Sequence, residues 1–325
     1  MNQMCEETVK LGAGGLRVSR LGLGGCPLGG HGWGGDFNER DATAAVRHAL
    51  DRGVTFFDTA DVYGLGQSEE LLSRSLGINR FEVTVATKFG VAWDDAGRTW
   101  KDISPARVRT ALEGSLRRLR LECIPLYSIH WPDGRTPLAD VLGELQRCRD
   151  EGKVCAIGLS NYCGADLAAA KAMTPISALQ IQYSLVDRTA ADEATPTAVR
   201  HDVPLVTWGS LAQGLLTGKY DGASTFGRDD RRSRCENFAG AKFAENLRVL
   251  ETLMDVARRV GKTPAQVAMR WLLDSPGVGV VLFGAKRPAQ VDENCGAADW
   301  RLDDADYVAL SRAATPIGGE GQLAA

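Results

Sequence analysis

The chain has 325 residues, 44% hydrophobic and 24% charged, which is enough apolar material to bury a core without staples. Its length allows one α/β barrel, which runs to about 250 residues as a unit, or two smaller domains. A formal net charge of -3 offers no clustered Lys/Arg face for nucleic acid, and no stretch approaches the roughly 20 apolar residues that cross a bilayer.

The opening MNQMCEETVKL puts acidic residues where a secretory leader carries positive charge, so a cytoplasmic protein is expected. Residues 8–11 and 16–19 flank Gly12, Ala13, Gly14 and Gly15 and predict a small hairpin. Short apolar runs then follow at 21–24, 54–57, 83–87, 124–129, 156–159, 178–181, 205–208 and 278–282, alternating with helical patterns. Ser104-Pro105 opens a helix with Val108, Leu112, Leu116 and Leu119 on one face, and Thr136-Pro137 opens another, which Gly152 closes. Thr263-Pro264-Ala265-Gln266 has the form of a capping box. Eight strand-then-helix units predict a (β/α)8 TIM barrel spanning 1–325, with the hairpin under its floor. The polar insertion at 218–239 reads as a mobile loop over the active face, and the tail at 315–325 as fraying. The cysteines at 5, 26, 123, 148, 155, 163, 235 and 295 have no zinc-ligand spacing and read as mostly buried thiols, with no metal.

A barrel carries its chemistry just after its strands. Four polar residues stand there: Asp58 and Tyr63 in FDTADVYG, Lys88 in VATKFG and His130 in LYSIHWPD. A tyrosine titrates near pH 10, so one that moves protons at neutrality needs a cation beside its phenolate; Lys88 supplies it and Asp58 holds Lys88. His130 donates to a carbonyl oxygen or relays a proton.

With these motifs, GKVCAIGLSNY, LQIQYSLVDR, LAQGLLTGKY and GAKRPAQVDEN appear in order, and the chain from about Lys10 to about Leu310 resembles the aldo-keto reductase superfamily, nearest its bacterial branch related to potassium-channel β-subunits. The resemblance implies reduction of an aldehyde or ketone with NADPH as hydride donor, Asp58, Tyr63, Lys88 and His130 as the proton-transfer tetrad and Tyr63 as general acid. It places the nicotinamide carboxamide at Ser160, Asn161 and Gln180, and its ring on Trp208, where relatives usually carry tyrosine. Gly209, Ser210, Leu211, Gln213 and Gly214 would wrap the pyrophosphate, although Gly-Ser-Leu replaces the usual Ser-Pro-Leu. Gly284, Lys286, Arg287, Gln290, Glu293 and Asn294 match the adenosine end, with Lys286 and Arg287 suited to a 2′-phosphate. Trp33 and Trp131 match walls of the substrate pocket, and Trp93 fits the same aromatic surface. The implied partner is a small-molecule carbonyl substrate, with no nucleic acid and no membrane. Relatives that reduce an activated C=C bond often carry glutamate in place of His130.

Three alternatives stand beside this reading. Gly30 to Gly35 satisfy G-x-G-x-x-G, with Asp58 at the end of the next strand, as a dinucleotide-binding doubly wound sheet requires. That fold leaves Tyr63, Lys88 and His130 without roles. The same tetrad also serves a sugar or alcohol dehydrogenase running in the oxidative direction, and a low-turnover NADPH-sensing β-subunit retains it too.

Overall fold

A computed structural model describes residues 5–12, 15–30 and 37–314. Strands β1 (Thr8–Leu11) and β2 (Leu16–Ser19) pair antiparallel in the register Thr8 to Ser19. The barrel strands are β3 (Leu21–Gly24), β4 (Phe56–Asp58), β5 (Thr84–Phe89), β8 (Ile124–Ile129), β9 (Val154–Ser160), β10 (Ala178–Gln182), β11 (Leu205–Trp208) and β12 (Val278–Gly284). All pair parallel in that order, and β12 closes on β3 with Phe283 opposite Leu23. Between β5 and β8 lies a second hairpin, β6 (Val91–Trp93) with β7 (Thr99–Lys101).

Around the barrel run α1 (Glu39–Asp51), α2 (Gln67–Leu76), α3 (Pro105–Leu119), α4 (Leu138–Asp150), α5 (Gly164–Met173), α6 (Thr189–Arg200), α7 (Gly240–Val260), α8 (Pro264–Asp274), α9 (Pro288–Cys295) and α10 (Asp304–Ala313). This is the (β/α)8 barrel with its N-terminal hairpin, and the eight strands fall where the apolar runs lie. The doubly wound alternative is excluded, because the sheet closes. The fingerprint glycines themselves, with Trp33, lie outside the described residues, as does the tail at 315–325.

Two apolar layers hold the barrel. Inside it, Phe56, Ala86, Leu126, Ala156, Ala178, Val206, Val280 and Leu282 pack against Leu11 and Val18 of the hairpin, which plug the floor. Gly22 faces this layer because a Cβ there would lie 2.8 Å from the Phe56 ring and 2.9 Å from Leu282. Outside, the other faces of the strands meet the helices; fully buried Trp271 and Phe57 belong to that larger cluster.

Local chemistry sets the helix starts. Ser104 caps α3 by accepting from Arg107 N, with Pro105 in the first turn, and Thr263 and Gln266 form the reciprocal capping box of α8. α4 departs from expectation: it begins at Leu138, with Pro137 as its cap residue. The Thr136 hydroxyl is committed to Asp133, to which it donates at 2.7 Å. β4 starts two residues later than its apolar run, because Val54 N still bonds Ala49 O at the end of α1.

The insertion at 218–239 carries a small core of its own. Tyr220, Phe226 and Phe238 make edge-to-face contacts with ring centroids 4.9–5.4 Å apart. Cys123 and Cys155 are joined as a disulfide, contrary to the reading of free thiols, because adjacent β8 and β9 start side by side with Ile124 opposite Val154. Among the described residues no helix is long and apolar enough to cross a membrane.

Candidate active site

Parallel closure brings all the C-terminal strand ends to one mouth, and the polar residues read from the sequence gather there. Asp58 ends β4, Lys88 lies near the end of β5 and His130 follows β8 directly. Lys88 Nζ donates to Asp58 Oδ2 at 2.8 Å and to the Thr59 carbonyl at 2.7 Å, with both side chains buried. That ammonium lies 5.2 Å from the Tyr63 ring centroid. Tyr63 and His130 meet edge to face at 5.7 Å.

The turn that delivers Tyr63 is built for close packing. A Cβ on Gly64, which sits at φ 60°, would come within 2.5 Å of the Gly29 carbonyl oxygen, so only glycine lets this turn press on the turn at 26–29. Burial pushes the Tyr63 phenol well above its ordinary range; Cys26 and Asp58 add to the effect and Arg231 opposes it. Burial also holds His130 well below the ordinary imidazole range, and the Lys88 charge adds to this. Tyr63 is therefore a protonated donor at neutral pH, and His130 is a neutral imidazole whose buried Nδ1 has no hydrogen-bond partner.

A second set of groups borders the tetrad. Gln180 donates to Asp58 Oδ1 at 2.9 Å, so it is tied to the acid as well as lying beside Ser160, whose hydroxyl is 3.4 Å from Gln180 Oε1. Asn161, at φ 61°, donates to the His130 carbonyl at 2.9 Å and accepts from Trp208 Nε1 at 3.1 Å. A single amide thus fixes the histidine backbone and the edge of the indole. Trp131 stands 6.3 Å from His130 and 6.4 Å from Trp208, centroid to centroid, and Lys101 Nζ lies 5.0 Å over its ring.

The family model described as the aldo/keto reductase family matches residues 20–314. The chain belongs to the aldo/keto reductase family. It is 35% identical over 295 residues to the aldo-keto reductase YhdN of Bacillus subtilis, spanning 90% of this chain and 88% of that one. The solved glycerol dehydrogenase AKR11B4 of Gluconobacter oxydans superposes with a TM-score of 0.88 at 34% identity, covering 98% of this chain and 100% of that one. The aldo-keto reductase AKR11C1 of Bacillus halodurans, in a holo form, matches with a TM-score of 0.77 over 95% and 96% of the two chains; at 24% identity that likeness shows the fold alone.

As an aldo-keto reductase the chain is an oxidoreductase acting on carbonyl and alcohol groups, in a family that uses nicotinamide cofactors. Among the described residues, the predicted pyrophosphate and adenosine positions follow the ends of β11 and β12. Gly209, Ala212, Gln213 and Gly214 all adopt positive φ, and Leu211 packs on the core. Ser210 is buried with its hydroxyl 3.0 Å from that of Thr207. After β12, Lys286 N donates to Gln290 Oε1 at 2.7 Å, Asn294 donates to the Gly284 carbonyl at 3.4 Å, and the Glu293 carbonyl accepts from Gln266. Burial lowers the Lys286 pKa, as do the nearby charges of Arg232, Arg287 and Lys219, with Asp230 opposing. That crowding of cations is the electrostatic complement of a phosphate. Arg287 is 75% exposed and reaches Asp41 only at 3.9 Å.

Two charged residues of the site were not read from the sequence. Fully buried Asp61 and half-buried Arg107 form an ion pair at 3.0 Å beside the Tyr63 turn. Asp61 stands inside FDTADVYG, and a carboxylate in so apolar a stretch was the available signal.

Proposed function

We propose that the protein is an NADPH-dependent carbonyl reductase that converts an aldehyde or ketone to an alcohol by direct hydride transfer. The observation that carries this reading is the contact set Asp58–Lys88–Tyr63–His130 at the barrel mouth, with a protonated phenol and a neutral imidazole edge to face. The groups present suit the cofactor. Ser160, Asn161 and Gln180 offer hydroxyl and amide partners for a carboxamide, Trp208 offers a flat face, and Lys286 with Arg287 offers charge for a 2′-phosphate. At Gly284 a Cβ would meet Pro27 at 3.1 Å, which keeps the backbone bare at the adenosine end.

NADPH, when bound, supplies the hydride. The residues of this chain handle the oxygen. Tyr63 and His130 donate to the substrate carbonyl oxygen and orient it. As negative charge develops there, the phenol proton passes from Tyr63 to that oxygen, and the Lys88 ammonium stabilises the phenolate left behind. Asp58 fixes the ammonium, and Gln180 fixes Asp58 from its other oxygen. In reverse, the same phenolate takes the proton from an alcohol. The likeness to a glycerol dehydrogenase favours that oxidative direction as the second reading, with a polyol as substrate. A cytoplasmic location and a single catalytic barrel spanning 1–325 belong to the same proposal.

The test is a fluorescence titration with NADPH and NADH, followed by turnover on a panel of aldehydes, ketones and keto sugars and, with NADP+, on polyols. Tighter binding of NADPH together with carbonyl turnover is expected. Absence of nicotinamide binding would overturn the reading.

A further inference from the structure

Directly behind the tetrad lies a charge network, with its carboxylates buried and its guanidinium groups half-buried, that proton transfer to the substrate does not use. Asp61 is fully buried, and its backbone N–H donates to the Lys88 carbonyl at 3.1 Å, which ties the Tyr63 turn to β5. Its carboxylate takes one hydrogen bond from Arg107 Nη2, at 3.0 Å. Asp61 Oδ1, Arg107 Nε and Tyr127 Oη are all buried without a partner, so the pair is joined through a single contact rather than a fork. The same guanidinium lies 5.2 Å from the Trp93 ring centroid, on the β6–β7 hairpin at the barrel mouth. The other end of that hairpin places Lys101 over Trp131, beside His130. Arg107 therefore bridges the turn that carries Tyr63 and the aromatic side of the substrate pocket.

We propose that Asp61 and Arg107 are a positioning pair for the carbonyl substrate: the ionised pair holds Trp93 and the β6–β7 hairpin in the binding arrangement, and protonation of Asp61 releases it. The inference rests on the reductase reading for its kinetics and on the geometry above for its structure. The groups facing Asp61 are Arg107 and Arg118 from α3, Glu69 from α2, Tyr127 from β8 and Tyr63 from its own turn, with the Lys88 backbone on β5. Glu69 is itself occupied by Arg118 at 2.6 Å and by the Thr87 hydroxyl at 2.6 Å. Burial pushes the Asp61 carboxyl up to about 7; Arg107 and Arg118 oppose the rise and Glu69 adds to it. The pair is therefore ionic above neutrality and loses its charge as the pH falls through about 7. Because this carboxyl holds its proton more tightly folded than unfolded, its ionisation lowers stability as the pH rises from about 4 to about 7; the ionic pair forms at that cost.

The test uses the full chain with 5-fluorotryptophan and steady-state kinetics from about pH 5.5 to about pH 9. In the wild type the Trp93 fluorine resonance, assigned with Trp93→Phe, is expected to shift near neutrality. KM for the carbonyl substrate should rise roughly five- to tenfold on the acid side, the scale of one net hydrogen bond, with kcat changing far less than KM. Asp61→Asn should freeze the resonance and hold KM at its acid-side value throughout, Arg107→Met should do the same, and Arg107→Lys should restore part of the pH response. A wild-type resonance that ignores pH, or an Asp61→Asn protein that keeps the wild-type KM profile, would overturn the inference. Failure of NADPH turnover in the wild type would strike the reductase reading instead, and the resonance would still decide the fate of the pair.

Discussion

The two ends of the barrel are made from the same eight strands and are opposite in chemistry. At the floor, Leu11, Val18, Phe56, Leu126 and Val206 fill the interior with apolar side chains. At the mouth, the strands end in Asp58, Lys88, His130, Ser160 and Gln180, all buried and polar. Burial of apolar groups stabilises the floor, whereas burial of charge at the mouth costs free energy that only its ion pairs and hydrogen bonds offset. The contrast teaches that the hairpin-plugged end secures the fold and the open end carries the altered acidities: Tyr63 and Asp61 raised, His130 lowered.

If that division holds, damage to the floor and damage to the mouth separate cleanly. Leu11→Ala should cost about 2–5 kcal/mol of stability, because it opens a cavity under a fully buried side chain, and should leave kcat within about twofold. Chemical denaturation and steady-state rates on one preparation check this; a large fall in kcat in protein that remains folded would mean the two ends are coupled. A smaller effect sharpens the mouth. Arg287→Ala, at an exposed position, should weaken NADPH roughly tenfold and leave NADH nearly unchanged, as loss of a 2′-phosphate partner requires. Equal losses for both nucleotides in parallel titrations would remove Arg287 from that role.

The floor and the barrel topology were legible because burial imposes period on the sequence. Apolar runs, a Ser-Pro helix start and a Thr-Pro-Ala-Gln capping box are local signals, and each lies where the structure puts the element. The β6–β7 hairpin was not among the expected strands, since its second strand, Thr99–Lys101, is wholly exposed and carries no alternation of burial. The start of α4 was misplaced for a different reason: Asp133 competes for the Thr136 hydroxyl, and nothing in a Thr-Pro pair reports that rival. At the mouth, residue types at strand ends pointed to Asp58, Tyr63, Lys88 and His130, which the structure brings into contact. Pairing was not legible. That Gln180 reaches Asp58, that Arg107 reaches both Asp61 and Trp93, and that Cys123 meets Cys155 all depend on separations of 14 to 122 residues that only the closed sheet brings together.

The central claim is that the mouth transfers a proton from Tyr63 to a carbonyl oxygen, and single-turnover oxidation of bound NADPH by a good aldehyde substrate tests it most directly. Tyr63→Phe should slow that oxidation by roughly 10²–10⁴-fold, the usual contribution of a positioned acid, while the NADPH dissociation constant stays within about twofold of wild type. An unchanged rate in the Tyr63→Phe protein would contradict the account.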